Sequence, residues 1–570
     1  MTADSLRQRT AKTPGKMIPV HTGPTSLDSP KRSITDLTIS IPNSSARPEV
    51  ETNPPRWNTL EFKVYGLVFL IVVPIMVYIP ISLSSTSHPN FHTYAHRLSP
   101  GWMFGRLVDN SDPQYRTFRS GLPALLGLAT SHLAFSAFFS RIVSPSASST
   151  AKFTVGFASI MLFVLHGISM FKIFAILGLN YYLARLDKPA VLTKVWPALV
   201  ITGNMILLFL NHRYEGYKLG ALHAFFDPLD EIDGLLPRWH IGFNITMLRI
   251  VSFCLDYHWR QPASEEPTDY RKRVNTSLPQ DAYSFTNFVA YSLYPPLYIA
   301  GPIITFNDFM WQLRKPVTIT LRDKLSYAFR FLSCLLTMEA VLHTMYVVAI
   351  KDTAAWDGDT PGQLSMIGFW NLVVVWLKLL IPWRFFRLWA LLDGLDPPEN
   401  MIRCVANNYS TLGFWRSWHR SYNLWVVRYI YIPLGGSKNM VLSTVLVFTF
   451  VALWHDLSAK LLAWGWLVSL FILPEIVARK VVSSKQYGHE EWYRHLSAVG
   501  GVLNILMMMA ANLVGFVLGL DGMKHLVYQL VSTWSGIGFM LFASGCLFVA
   551  VQVMFEYREA ERRRGIDRRC

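Results

Sequence analysis

Charged side chains are scarce in this sequence. Of its 570 residues, 16% are Asp, Glu, Lys or Arg and 51% are hydrophobic, whereas an average soluble domain is about one quarter charged. Runs of about 20 apolar residues, the length of a helix that crosses a bilayer, recur along most of the chain after its N-terminal segment. The composition therefore excludes a soluble globular protein and predicts a chain embedded in lipid.

Cysteine is also scarce, and the short motifs of several enzyme classes are missing. The five cysteines form no CxxC spacing, which excludes a disulfide framework and a cysteine-based zinc site. The sequence contains no Walker loop, no GxSxG elbow and no HExxH helix, so it offers no ATPase, soluble hydrolase or zinc-protease chemistry. We expect neither a metal nor a bound cofactor.

Positive charge is in excess, but its distribution does not suit nucleic acid. The formal net charge is +16, with Lys and Arg scattered between apolar runs rather than gathered in one domain. Attraction to anionic lipid and the enrichment of Lys and Arg in cytoplasmic loops account for this excess better. The expected partners are membrane lipids, and nucleic acid is not among them.

Three regions differ in composition. Residues 1–58 are rich in Ser, Thr and Pro, lack any apolar period, and are predicted to form a disordered N-terminal tail. Residues 59–557 contain the apolar runs and are predicted to be one polytopic domain. Residues 558–570 hold six arginines directly after the last run, which predicts a basic C-terminal tail in the cytosol.

The apolar runs predict about ten to twelve membrane crossings. The predicted spans are about 64–83, 121–140, 153–183, 191–210, 241–255, 325–350, 366–392, 441–454, 461–476, 499–520 and 537–555. A further run, 285–306, contains Pro295, Pro296, Gly301 and Pro302, and lipid tolerates such breaks only where protein shelters the backbone. We therefore predict an all-α polytopic membrane protein with a re-entrant segment at 285–306.

Several ionisable residues lie within or beside the apolar runs, where burying a charge costs at least a few kcal/mol. They are Lys172, Arg249, Asp256, Glu339, His343, Lys378, His419 and His455. Arg249 and Asp256 share one helical face, which favours a structural pair or a buried network. Glu339 and His343 are one turn apart, a spacing that allows a direct hydrogen bond. For a lone histidine in a membrane, an interhelical hydrogen bond is the simplest interpretation.

A charged, aromatic block follows the run that ends at residue 392. It reads FWRSWHRSYNLWVVRYIYIPLGGSK from Phe414, and LWHD follows at 453–456 after a further apolar run. These two pieces resemble the membrane-bound O-acyltransferase family, which pairs an FWRxWHxS stretch and YIPLGG with a histidine in an apolar helix. Asp456 departs from the family's common LWHG. The resemblance covers about residues 240–475, and WRFFRLWALLDGLDPPENM is similar to the fungal glycerol-uptake-protein branch.

The resemblance implies an activity and a location. It implies a helical bundle with re-entrant segments that transfers a long-chain fatty acyl group from acyl-CoA, used as a co-substrate, to a lipid hydroxyl. The branch is implicated in remodelling the lipid of glycosylphosphatidylinositol (GPI) anchors. The implied acceptor is therefore the lyso-phosphatidylinositol moiety of such an anchor. The implied location is the endoplasmic reticulum membrane or the plasma membrane, with many crossings.

Histidine chemistry agrees with this resemblance. Moving an acyl group from a thioester to a hydroxyl needs a base for a weak nucleophile, and the pKa of histidine suits that task near neutral pH. His455, inside an apolar helix, is the predicted general base. His419 or Asp456 is predicted to hold its useful tautomer through a hydrogen bond. The predicted catalytic residues are therefore His455 and His419.

A group of cations surrounds His419 in the sequence and could bind the donor. Its members are Arg416, Arg420, Arg428 and Lys438. We name these four residues the cationic rim, because the phosphates of coenzyme A are bound well by such groups. The tendency of cytoplasmic loops to carry Lys and Arg explains the same residues equally well.

Two other functions stay open at the level of sequence. A proton-coupled transporter, for instance of glycerol, would use buried ionisable residues such as Arg249, Asp256, Glu339 and His343. The absence of an evident internal repeat weighs against it. A protein acyltransferase would use the same histidine chemistry as a lipid acyltransferase, so sequence alone does not separate the two acceptors.

Overall fold

The computed structural model describes residues 54–221, 223–262, 266–455, 459–564 and 566. The described residues belong to a single contact unit, Leu37–Cys570. The predicted disordered tail at 1–58 falls almost wholly outside the described residues, and so does Asp456. Where the chain is described it is almost entirely helical, which confirms the predicted all-α class.

The helices follow one another in this order. The N-terminal third contains α1 (Leu60–Leu83), α2 (Phe91–Tyr94), α3 (Pro113–Ile142), α4 (Ala147–His166), α5 (Ser169–Arg185), α6 (Ala190–Arg213) and α7 (Asp227–Asp230). The middle contains α8 (Trp239–His258), α9 (Tyr270–Asn275), α10 (Phe285–Ser292), α11 (Pro295–Tyr298), α12 (Phe306–Arg314), α13 (Leu321–Thr344), α14 (Val347–Asp352) and α15 (Pro361–Leu392). The last part contains α16 (Thr411–Ser417), α17 (Arg420–Val426), α18 (Met440–His455), α19 (Ala459–Val481), α20 (Ser484–Tyr487), α21 (Glu491–Asn512), α22 (Gly519–Val531) and α23 (Trp534–Arg563).

Shorter elements complete the described chain. Short 3-10 helices occupy Ala95–Arg97, Leu219–Ala221, Ala224–Phe226, Gln280–Tyr283 and Gly436–Asn439, and π-helical turns occupy Val427–Tyr431 and Leu513–Val517. One antiparallel hairpin, β1 (Leu98–Pro100) with β2 (Leu107–Asp109), lies in the loop between α1 and α3.

Nine helices in the described part of the chain are long and apolar enough to cross a membrane, and α18 is a shorter apolar helix. The nine are α1, α3, α4, α6, α13, α15, α19, α21 and α23. Local chemistry fixes where several of them begin. At the start of α15, Thr360 and Gln363 form a capping box around Pro361, so side chains satisfy backbone groups that the first turn leaves free. The polytopic helical bundle that the apolar runs predicted is confirmed.

The predicted span at 153–183 is wrong as a single helix. The chain breaks at Gly167, whose φ is 55°, and continues as α5. A Cβ atom at Gly167 would lie 1.9 Å from the Ile232 carbonyl oxygen, and the Ile168 amide donates to that same oxygen. A loop from elsewhere in the chain therefore produces the break, which hydrophobicity does not reveal.

The predicted re-entrant segment is a broken, buried helix, α10 followed by α11. Where the helix breaks, Arg249 donates hydrogen bonds to the carbonyl oxygens of Ser292 and Leu297. The Ser292 carbonyl has no amide partner one turn later because residue 296 is proline, so the Arg249 guanidinium satisfies it. The Leu297 carbonyl accepts from Arg249 as well as from the Gly301 amide. Of the two alternatives predicted for Arg249 and Asp256, a direct pair does not form, and each residue instead belongs to a buried network of its own.

Asp256 is the centre of the second network. Its Oδ1 accepts hydrogen bonds from Arg428 Nη2 at 2.8 Å and from the Tyr429 hydroxyl at 3.0 Å. Its Oδ2 accepts from the Asn307 amide at 3.2 Å. This network ties α8 to α12 and to the π-helical turn after α17.

Glu339 and His343 do not form the predicted direct side-chain hydrogen bond. His343 Nδ1 donates to the Glu339 backbone oxygen at 2.7 Å, and its Nε2 accepts from the Trp102 amide at 3.2 Å. The Glu339 carboxylate instead accepts from the Tyr115 hydroxyl at 2.7 Å and from Trp102 Nε1 at 3.0 Å. Both residues therefore hold the hairpin loop against α13.

The described C-terminal arginines belong to the last helix, which packs against the loop before α16. The buried Arg403 side chain pairs with Glu561 at 2.9 Å, and Arg558 donates to the Asn407 carbonyl and side chain. The end of α23 therefore supports the segment that carries the first histidine motif. The cytosolic orientation of this end stays a prediction.

Candidate functional site

A cavity of about 1560 Å³ lies between α1, α15 and the helices from α16 to α23. Most of its wall is aliphatic or aromatic, and His419 and His455 both lie on it. Ligand pockets usually measure roughly 300–1,000 Å³, so this cavity is large enough for an extended apolar ligand. The two histidines that the sequence singled out are thus brought to the same cavity.

His455 is the last residue of α18 and is exposed to the cavity. The residue before it, Trp454, is held by two hydrogen bonds to Asn244 of α8. Asn244 Nδ2 donates to the Trp454 carbonyl oxygen at 3.0 Å, and Trp454 Nε1 donates to the Asn244 carbonyl oxygen at 3.1 Å. The His455 ring meets the edge of the Trp454 ring at 4.7 Å between centroids. This reciprocal pair therefore fixes the end of the helix beside the His455 imidazole.

Sequence reasoning did not assign Asn244 a role in the site. Asn244 lies in an apolar helix, where a polar side chain needs a hydrogen-bond partner. The sequence indicates that such a partner is needed, but not which residue it is. Its partner is 210 positions away, so the role became visible only in the folded chain.

His419 has a left-handed backbone conformation, with φ at 43° and ψ at 49°. Such a conformation is uncommon for residues other than glycine and persists where the surroundings impose it. Asn400 imposes it here, because its carbonyl accepts from the Arg420 amide at 3.0 Å and its side chain accepts from the Ser421 amide at 3.1 Å. Strain at a cavity-lining histidine is typical of functional sites.

The Tyr422 ring lies between the two histidines. It stacks on the His419 ring at 5.2 Å between centroids, and its centroid is 6.5 Å from that of His455. It also stacks on Trp454 at 4.6 Å. The α16–α17 segment and the end of α18 are therefore joined through one aromatic ring.

The members of the cationic rim occupy different surroundings. Arg416 lies on the cavity wall with its side chain exposed. Arg420 is half-buried, Arg428 is held by Asp256 and Asn275, and Lys438 is exposed in a turn. Arg416 is thus the rim residue that directly contacts the cavity. The donor-binding role of the rim stays a prediction.

The arrangement suits chemistry on an apolar substrate. Two imidazoles lie on a mostly apolar wall, and a neutral imidazole can accept a proton from a hydroxyl held beside it. Low polarity also strengthens any hydrogen bond made to charge that develops during the reaction. The site can therefore hold an acyl chain along its apolar wall and place its carbonyl group near the two rings.

Comparison with known proteins identifies the family. The sequence profile described as "MBOAT, membrane-bound O-acyltransferase family" matches residues 235–520. "Membrane-bound O-acyltransferase GUP1" of Saccharomyces cerevisiae is 48% identical over 537 residues, which cover 91% of this chain and 94% of the yeast protein. The Schizosaccharomyces pombe protein of the same printed name is 39% identical over 553 residues, which cover 93% of this chain and 94% of that protein.

A more distant relative is named for a protein acceptor. "Protein-cysteine N-palmitoyltransferase HHAT" of Mus musculus is 29% identical over 288 residues, which cover 47% of this chain and 56% of the mouse protein. The residues matched by this profile include His419, His455 and the block from Phe414 that carried the resemblance. This chain belongs to the membrane-bound O-acyltransferase family and is a multipass membrane acyltransferase.

Proposed function

We propose that the protein transfers a long-chain fatty acyl group from acyl-CoA to a lipid hydroxyl, namely that of the lyso-phosphatidylinositol moiety of a GPI anchor. The observation that carries this proposal is the pair His419 and His455 on one large apolar cavity. The similarity to the fungal acyltransferases supports it. The endoplasmic reticulum membrane is the proposed location.

In the proposed reaction His455 is the general base. Its imidazole takes the proton of the acceptor hydroxyl while the oxygen attacks the thioester carbonyl carbon. The carbon–sulfur bond then breaks, and the imidazolium returns the proton to the leaving thiolate, so that acylated lipid and coenzyme A are the products. His419 orients the first imidazole or donates to the carbonyl oxygen, where negative charge develops. The reaction uses acyl-CoA as co-substrate and needs no other cofactor.

Arg416→Ala is expected to raise the KM for acyl-CoA about tenfold and leave the KM for the acceptor unchanged. A hydrogen bond to a charged group contributes about 1.5–3 kcal/mol, and this side chain lies on the cavity wall. Initial rates at varied donor and acceptor concentrations measure both constants. Lys485→Ala, which removes an exposed cation outside the cationic rim and away from the cavity wall, is the matched control. Equal effects of the two changes would contradict donor binding by Arg416.

A protein acceptor is the second candidate function. The mouse relative is named as a protein-cysteine N-palmitoyltransferase, and the same base could activate an amine or a thiol. A transporter is less well supported. Arg249, Asp256, Glu339 and His343, which it would use, have structural partners, and the cavity is lined by other residues.

One assay separates these functions. Purified protein is incubated with radiolabelled palmitoyl-CoA and a panel of lysophosphatidylinositol, lyso-GPI and N-terminal cysteine peptide acceptors, and products are separated by chromatography. We expect label in the lyso-lipid products and none in the peptides. Label in the peptides alone would replace the lipid acceptor by a protein. Glycerol uptake into proteoliposomes without labelled product would favour transport instead.

A further inference from the structure

Two aromatic side chains stack on the imidazole of His419. We infer that Trp383 and Tyr422, the aromatic clamp, are positioning residues that fix the plane of this ring for acyl transfer. The inference rests on the proposed function, because it gives a catalytic purpose to the orientation of His419. It gives a role to two residues that the sequence analysis did not assign to the site.

Both rings of the clamp stack on the imidazole. The Trp383 ring lies 4.8 Å from the His419 ring between centroids, with 17° between the planes. The Tyr422 ring lies at 5.2 Å with 22° between the planes. Both distances are within the range of about 4.5–7 Å in which aromatic rings attract each other. The imidazole plane is therefore nearly parallel to both rings, and a rotation of the imidazole out of this plane would break both contacts.

The backbone and the ring of His419 are held by different groups. Asn400 holds the left-handed backbone through the amides of Arg420 and Ser421, whereas the clamp holds the side chain. Backbone restraint alone leaves the rotation of the imidazole about its side-chain bonds free. The ring plane therefore depends on the clamp, and loosening the clamp leaves the backbone restraint intact.

The two halves of the clamp come from different parts of the chain. Trp383 is on α15 directly after Pro382 and is 9% exposed. Tyr422 is on α17 and also stacks on Trp454, beside His455. The Tyr422 hydroxyl has no hydrogen-bond partner among the described residues, so its ring rather than its hydroxyl forms the contact that matters here.

Substitutions of Trp383 test the clamp by kinetics. We expect Trp383→Leu to lower kcat at least tenfold, because a displacement of about 1 Å in a catalytic group can cost a hundredfold in rate. The KM for acyl-CoA should stay within threefold. Trp383→Phe keeps a flat ring against His419 and should recover kcat to within threefold of the wild type. Tyr422→Phe should do the same, since it removes only the unpartnered hydroxyl.

Trp389→Leu is the matched control. Trp389 is also a buried tryptophan of α15, but it lies away from the cavity wall, and its indole nitrogen donates to His132 rather than contacting His419 or His455. We expect it to leave kcat within threefold of the wild type. If Trp389→Leu lowered kcat as much as Trp383→Leu, or if Trp383→Phe failed to recover it, the clamp would have no positioning role.

A second measurement does not depend on activity. Diethyl pyrocarbonate modifies neutral imidazole nitrogens, and peptide mass spectrometry gives the rate of modification of His419 in the purified protein. We expect Trp383→Leu to raise this rate several-fold and Trp389→Leu to leave it unchanged. Unchanged modification in Trp383→Leu would overturn the clamp. If the wild type transferred no acyl group, the proposed function would fail, while this comparison would still decide whether the ring is clamped.

Discussion

His455→Ala is expected to abolish acyl transfer while the protein stays folded and retains acyl-CoA. Loss of a positioned general base typically lowers the rate about a hundred- to ten-thousandfold, and a change confined to the transition state lowers kcat without altering binding. The structure places this side chain on the cavity wall at the end of α18, where its removal disturbs little packing. Steady-state kinetics and acyl-CoA retention on the purified protein measure the two quantities.

His495→Ala is the control for this prediction. His495 contacts Gln552 and Phe548 away from the cavity wall, so its loss should leave kcat unchanged. His419→Ala should lower kcat and add little to His455→Ala, because residues that act as a unit are not additive. Near-normal transfer by folded His455→Ala would show that the base assignment and the proposed mechanism are wrong.

Asp256→Ala is expected to lower the free energy of unfolding by about 3–5 kcal/mol, the usual cost of breaking a buried ion pair by removing one partner. The Asp256 side chain is fully buried, and its loss removes the carboxylate that pairs with the Arg428 guanidinium and accepts from the Tyr429 hydroxyl, so that among the described residues Arg428 keeps only its hydrogen bond to Asn275. Denaturant titration in detergent micelles, with α-helical circular dichroism as the readout, measures the change.

An exposed ion pair provides the comparison for Asp256. Asp281 pairs with Arg314 but is 73% exposed, so Asp281→Ala should cost less than about 1 kcal/mol. Adding Arg428→Met to Asp256→Ala should recover part of the lost stability, because the double change leaves no uncompensated charge. Equal costs for the two aspartate substitutions would mean that the buried network does not hold α8 against the π-helical turn after α17.

Local chemistry determined much of the fold. A long apolar run has few stable alternatives in lipid to a helix, because its backbone must pair internally, so spans such as α1 and α15 were predictable to within a few residues. Pro295 and its neighbours predicted the broken re-entrant segment for the same reason. The block from Phe414 and the embedded His455 indicated the family, since the spacing of those residues is written in the chain itself.

The partners of the polar residues could not be predicted in the same way. The helical spacing allowed Asp256 to pair with Arg249 on its own helix, but the ion pair of Asp256 is with Arg428, 172 positions later. Gly167 breaks a run that hydrophobicity predicts to be continuous, because the Ile232 carbonyl fills the space that a side chain would need. Helical spacing reports neighbours on one helix and carries no information on which other helix packs against it.

The sequence by itself determined that this protein is a multipass helical membrane acyltransferase with two candidate histidines. Only the tertiary structure decided that His419 and His455 share a cavity, that the Tyr422 ring contacts both of them, and that Trp383 stacks on His419. The physical reason is that helix formation in lipid depends on local backbone pairing. The geometry of the site instead depends on contacts between segments far apart in the chain, which form when the helices pack.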